Sequence, residues 1–164
     1  MFEARDYDTR LDQFRKRAGI GRGEWAIAAE ISRSQLTKYR AGLGEPRAGH
    51  LARLVSSAGR ILGRAVNASE LFDLGEDEPL GKKRRPKPAK LTAADYDTRL
   101  DKLMRRLGVR PAALAKATGT SRMQIYCVRR GGNPLVSTVR SIVIAIRRMG
   151  HDVRARDVID LGEE

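Results

Sequence analysis

Apolar residues recur at helical spacing along most of the chain. Tyr7, Leu11, Phe14 and Ala18 fall at i, i+4, i+7 and i+11, the stripe of an amphipathic helix, and Tyr96, Leu100, Leu103 and Leu107 repeat it. Asp8 and Asp97 are the expected N-caps of these helices, with Gly19 and Gly108 as stops. Carboxylates there are favoured by the positive end of the helix dipole, a better reading than an acid–base pair. Second helices are expected over residues 23–30 and 111–118, the latter opened by Pro111, whose missing amide costs nothing at a first helical position. Trp25 occupies the place of Leu114, which marks it as core filler rather than a stacking platform.

A third short helix follows each of these at once. Residues 31–42 read ISRSQLTKYRAG and residues 120–131 read TSRMQIYCVRRG. Ser32 and Ser121 can accept hydrogen bonds from the unpaired amides of a first turn, so both read as N-caps. Leu36 with Tyr39, and Ile125 with Val128, then face a core. Arg33, Ser34, Gln35, Thr37 and Lys38 remain outside on the first helix; Arg122, Met123, Gln124, Tyr126 and Cys127 remain outside on the second. Cys127 reads as a small apolar filler in preference to a redox-sensitive thiol on a basic helix.

Self-similarity organises the whole sequence. DYDTRLD stands at residues 6–12 and again, letter for letter, at 95–101. Apart from small gaps, one of them near Pro46 and Pro134, the copies stay aligned to FDLGE (72–76) and IDLGE (159–163). Two copies point to a duplicated domain, because a solenoid needs three or more units. Leu51, Leu54 and Val55 carry a fourth helix in the first copy, and the dense apolar run from Leu135 to Ile146 carries it in the second. Ile144 falls off that face and is expected to be partly exposed, as a dimer surface or as part of a broader core. Asn67 with Glu70 makes a capping-box start for a last short helix.

Two short helices joined by a tight turn, the second basic on its outer side, form a helix-turn-helix arrangement. WAIAAE followed by ISRSQLTKYRAG resembles the Cro and phage-repressor (lambda-repressor-like, XRE-type) family of helix-turn-helix domains, and the resemblance covers nearly all of each copy. It implies an all-α chain of two tandem domains of about five helices each, over residues 1–75 and 93–164, joined by a flexible basic linker over 76–92. Glu30 departs from the family, which usually has Gly at this turn, as Gly119 does in the second copy; a left-handed backbone costs nothing without a Cβ. The resemblance also implies double-stranded DNA as the partner, and a homodimer formed through the C-terminal helices of a domain.

Charge and composition agree with a polyanionic partner. The 164 residues carry a formal net charge of +13. No apolar run is long enough to span a bilayer, and the N-terminus lacks the apolar stretch of a secretory signal, which leads to an expectation of a cytoplasmic, nucleoid-associated protein. One Cys and two His offer no metal-ligand spacing, so no metal or cofactor is expected. GIGRG at residues 19–23 lacks the spacing of a nucleotide loop and follows no strand pattern. It is either a turn that brings Arg22 to a phosphate or plain turn glycine. No catalytic constellation stands out. The Lys/Arg- and Pro-containing linker either tracks along phosphates or is a solvated tether.

Arg can fork onto guanine, Gln can pair with adenine, and Met or Tyr can touch a thymine methyl. Ser32, Ser121 and the outward residues of both helices other than Cys127 are therefore the expected DNA contacts. Arg22, Arg40, Arg129 and Arg130 are expected to hold phosphates, which position without specifying. Half-sites on one face of B-DNA lie about 34 Å apart. A tether of about 17 residues has an r.m.s. span of roughly 23 Å, more where Pro stiffens it. The expected function is a transcriptional regulator, more a repressor than an activator, reading two non-identical half-sites. The alternatives are an antitoxin or anti-activator whose second copy binds a partner protein, and an RNA-binding regulator.

Overall fold

A computed structural model describes residues 7–81 and 96–161. It is all-α: the described residues form ten helices and no β-strand. The chain divides into two units, one running to Asp73 and including Leu161, the other comprising Leu74–Asp160. The first holds α1 (Arg10–Arg17), α2 (Arg22–Ala28), α3 (Arg33–Arg40), α4 (Ala48–Leu62) and α5 (Ala68–Leu71). The second holds α6 (Arg99–Leu107), α7 (Pro111–Thr118), α8 (Arg122–Arg129), α9 (Val136–Arg148) and α10 (Ala155–Val158).

Both units pack their helices by the same plan. In the first, α1 lies on α3 and α5, α2 on α3 and α4, and α4 on α5. The same pairings hold in the second among α6, α8 and α10, among α7, α8 and α9, and between α9 and α10. Leu11, Phe14, Trp25, Leu36, Leu51 and Leu54 fill the first core; Leu100, Leu114, Ile125, Val139, Ile142 and Ile146 fill the second. Trp25 is fully buried, and its indole N–H donates to Ser57 Oγ (3.1 Å) and Leu54 O (3.3 Å). Where the copy has Leu114, no polar edge needs a partner, so the core role holds for both.

Local sequence explains the helix ends, with one shift from expectation. Thr9 and Thr98, not Asp8 and Asp97, cap α1 and α6: each hydroxyl accepts from the backbone amide three residues on (Asp12 and Asp101, 3.2 Å). The aspartates one position earlier instead take side-chain partners, Asp8 from Gln13 and Asp97 from Lys102. Ser32 and Ser121 do cap α3 and α8, accepting from Gln35 N and Gln124 N at 3.1 Å each. Such a cap contributes about 1 kcal/mol. The Asn67 amide donates to Glu70 Oε1 at 2.8 Å, as the capping-box pattern anticipates. Pro111 opens α7.

The turn between the second and third helices is left-handed in both units. Gly119 has φ +69° and Glu30 has φ +54°, so Glu30 bears a Cβ where its counterpart has none. A non-glycine residue in that region costs about 1–2 kcal/mol. Arg53 Nη1 donates to Glu30 O at 3.3 Å and holds the strained turn against α4.

Of the stretch expected as linker, residues 82–92 lie outside the described residues, and residues 76–81 belong to the second unit. They form a strap across the ends of α9 and α10. Gly81 N–H donates to Arg147 O (2.9 Å), Arg147 Nε to Glu78 O (2.7 Å) and Arg148 Nε to the Glu78 carboxylate (2.7 Å). The carboxylate of Glu76 accepts from Ala155 N, the first amide of α10, at 2.8 Å. Ile144, expected to be partly exposed, is half-buried, because Gly75 crosses it so closely that an added Cβ would lie 2.5 Å from Ile144 Cγ1.

Candidate nucleic-acid interface

The ends of α3 and α8 are fixed by the duplicated DYDTRLD motif. Arg40 is 1% exposed and Arg129 3% exposed, and the carboxylates they meet, Asp12 and Asp101, are buried as well. Arg40 Nε donates to Asp12 Oδ1 at 2.6 Å, and Arg129 Nε donates to Asp101 Oδ1 at 2.8 Å. The hydroxyl of Thr9 donates to Arg40 O (2.6 Å), and that of Thr98 to Arg129 O (2.7 Å). The rings of Tyr7 and Tyr96 lie under the two guanidinium groups, 5.5 and 5.4 Å from centroid to Cζ. Arg10 and Arg99 reach the other way, to Ser69 O and Arg156 O on the last short helices. The motif therefore ties the first, third and fifth helices of each unit together.

These contacts correct the expectation that Arg40 and Arg129 hold phosphates. Their guanidinium groups are spent on a buried carboxylate, and a phosphate outside cannot reach them. Burial alone raises the Asp12 carboxyl. The Tyr7 amide, Arg40 and Arg15 outweigh it and bring the group down to about 2, so the pair stays ionised. Asp101 is likewise lowered: burial opposes, and Arg105 and Arg129 prevail.

The remaining expected contacts point outward. On α3, Arg33, Ser34, Thr37 and Lys38 are exposed, as is Arg22 at the first position of α2. The Arg33 guanidinium lies beside Gly23, where an added Cβ would be 3.4 Å from Nη2, so this arm spans the two helices. On α8, Arg122, Met123, Gln124 and Tyr126 are exposed, followed by Arg130 just beyond the helix. Met123 is 71% exposed. Tyr126 is held in place, its ring 5.3 Å from Arg129 Cζ. Cys127, expected as filler, is exposed on the same surface. Neither α3 nor α8 contains an acidic residue, and from Lys102 to His151 the sequence has no Asp or Glu at all. The outer surface of α7 and α8 is therefore uniformly basic in its charges.

The two glutamines are held differently. Gln35 is half-buried; its Nε2 donates to Tyr39 Oη (2.9 Å), which lies 2.7 Å from His50 Nδ1 on α4. Gln124 instead folds back, its Oε1 accepting from Ser121 N at 3.0 Å. His50 is pushed below the ordinary histidine value by burial, then by the charges of Arg53 and Arg47. Tyr39, His50 and the Asp12 and Asp101 pins were not among the expected site residues. The verbatim repetition of charged letters in DYDTRLD was the available signal for the pins.

No family model matches the chain, and neither does any curated protein or solved structure. No helix among the described residues is long and apolar enough to cross a membrane.

Proposed function

We propose that this chain is a sequence-specific double-stranded DNA-binding transcriptional regulator, a repressor, built from two lambda-repressor-like helix-turn-helix domains. In this reading α3 and α8 enter successive major grooves. The observation that carries it is the pairing of two short Ser-capped helices, each acid-free outside and each anchored at its far end by a buried Arg–Asp pair. Such a helix is rigid where bases must be met and positive where phosphates approach. Arg33 and Arg122 have the chemistry for guanine; Ser34, Thr37, Lys38, Met123 and Tyr126 give the two faces different preferences. Arg22 and Arg130 supply phosphate contacts. Repression follows from occlusion of a promoter by the bound chain.

Selection from random duplex DNA tests the proposal. The intact chain is expected to enrich a two-part site with centres about 10 base pairs apart. Arg33→Ala and Arg122→Ala are each expected to relax one part, at a cost of about 1–3 kcal/mol. Failure to enrich any sequence overturns it. Met123 (71% exposed) and Tyr126 (41% exposed) lie three residues apart on α8, and this exposed apolar pair favours a second reading, in which the second domain binds a partner protein. Unchanged DNA affinity in Arg122→Ala is its signature.

A further inference from the structure

Gln35 and Gln124 occupy matching places, each the third residue of its helix, yet their amides are committed to opposite bonds. The neutral tautomer of His50 sets the first. The oxygen of Tyr39 accepts from Gln35 Nε2 at 2.9 Å, and its single proton can be donated to His50 Nδ1, 2.7 Å away, when that nitrogen carries no proton. That requires a neutral imidazole with an unprotonated Nδ1. Burial and the neighbouring Arg53 and Arg47 favour this neutral form. One N–H of Gln35 is thereby used, and while the Tyr39 proton is held by His50 the amide cannot turn over without losing the bond. Its second N–H meets only the longer contact to His50 Nδ1, Nε2 lying 3.4 Å away, and with the carbonyl it can turn to the donor–acceptor pair that adenine N7 and N6 complement.

Gln124 is committed by its other end. A backbone N–H can only donate, so the atom facing Ser121 N at 3.0 Å must be the carbonyl oxygen. Both N–H groups of the Gln124 amide then face away from the cap. Two donors suit acceptor edges, guanine O6 and N7 or thymine O4. The first unit cannot copy this bond while Gln35 holds Tyr39, and the second has Val128 in place of Tyr39, with no hydroxyl to offer.

We propose that Tyr39 and His50 are positioning residues for base readout, locking Gln35 in an adenine-reading orientation while Gln124, which has no such relay, reads acceptor bases. This rests on the DNA-binding function proposed above. The same residue type at the same helix position then specifies different bases, and the difference is written in residues that never touch DNA.

The experiment is selection from random duplex DNA with the full chain and three variants, Gln35→Ala, Tyr39→Phe and His50→Ala. The position whose preference flattens in Gln35→Ala marks the base read by Gln35, and it should be adenine. Tyr39→Phe keeps the buried ring and removes only the hydroxyl; His50→Ala changes a half-buried position and leaves the core ring alone. Each is expected to cut the adenine preference about tenfold, while the half-site read by α8 keeps its preferences. Trp25 fluorescence checks that the first unit stays folded in each variant.

Retention of the full adenine preference in a folded Tyr39→Phe or His50→Ala overturns the relay. So does a Gln35→Ala profile with no flattened position. If the parent chain enriches no sequence, the DNA-binding reading itself fails, an outcome distinct from the other two.

Discussion

Asp12→Asn tests whether the third helix is pinned by a buried ion pair. Asp12 is 0% exposed and Arg40 1% exposed, and the carboxylate also accepts from the Tyr7 amide at 3.1 Å. Asparagine keeps the shape but withdraws the negative charge, leaving the Arg40 guanidinium buried without compensation. Removing one partner of a buried pair costs about 3–5 kcal/mol. The sole tryptophan, Trp25, is fully buried in the first unit, so its fluorescence follows that unit even though the whole chain need not unfold in one step. With a urea slope of roughly 1 kcal/mol per M for a unit of this size, the midpoint should fall by about 3 M or vanish. Asp12→Leu combined with Arg40→Met removes both charges and should recover most of the loss, since apolar replacement of a buried pair is often neutral. A shift below about 0.5 kcal/mol for Asp12→Asn, the range of ordinary surface changes, refutes the pin. So does a double variant as unstable as the single one.

Three further outcomes follow from the same contacts. The Asp12 carboxyl, held at about 2 in the folded unit against an ordinary 3.8, contributes stability that is present above pH 4 and lost as pH falls through 2. The wild-type advantage over Asp12→Asn in urea should therefore shrink by roughly 2 kcal/mol between pH 5 and pH 2, and a constant gap contradicts the depressed value. Glu30→Gly relieves the positive φ of the turn; after the entropy cost of glycine it should stabilise the first unit by about 0.5–1 kcal/mol in the same fluorescence assay, whereas a loss would mean the turn is not strained. Gly81→Ala puts a Cβ 1.8 Å from Arg148 O, so hydrogen exchange over residues 76–81 should accelerate, and unchanged protection would show that the strap tolerates the clash.

Helix boundaries were legible wherever a local bond decides them: Ser32, Ser121, Pro111 and Asn67 each act within one turn of the chain. The cap at Thr9 was missed by one residue, because Asp8 and Thr9 are both good caps and only the reach of Thr9 to Arg40 O, far along the sequence, separates them. Arg40 and Arg129 were assigned outward for their charge, yet each lies four residues after a core position, Leu36 or Ile125, and so falls on the inner stripe. Periodicity carried the right information there and residue type overruled it. The strap was hidden by its neighbours. Residues 76–78 are acidic and seek Arg147, Arg148 and the start of α10, but they run directly into a Lys/Arg- and Pro-rich stretch that reads as tether.

The two halves differ in a way that separates frame from face. Tyr7, Thr9, Arg10, Leu11 and Asp12 recur unchanged as Tyr96, Thr98, Arg99, Leu100 and Asp101, and every one of them is spent inside its own unit on a core contact, a cap or a bond to the third or fifth helix. Ser34, Thr37 and Lys38 become Met123, Tyr126 and Cys127, and all six are exposed. Matching geometry and a shared Arg and Gln (Arg33 with Arg122, Gln35 with Gln124) therefore come with three non-matching positions on the surface. A chain that read two equal half-sites would need these three face positions held alike as well. The proposed function thus carries its own constraint: a target whose two parts differ, approached in one orientation by a single chain.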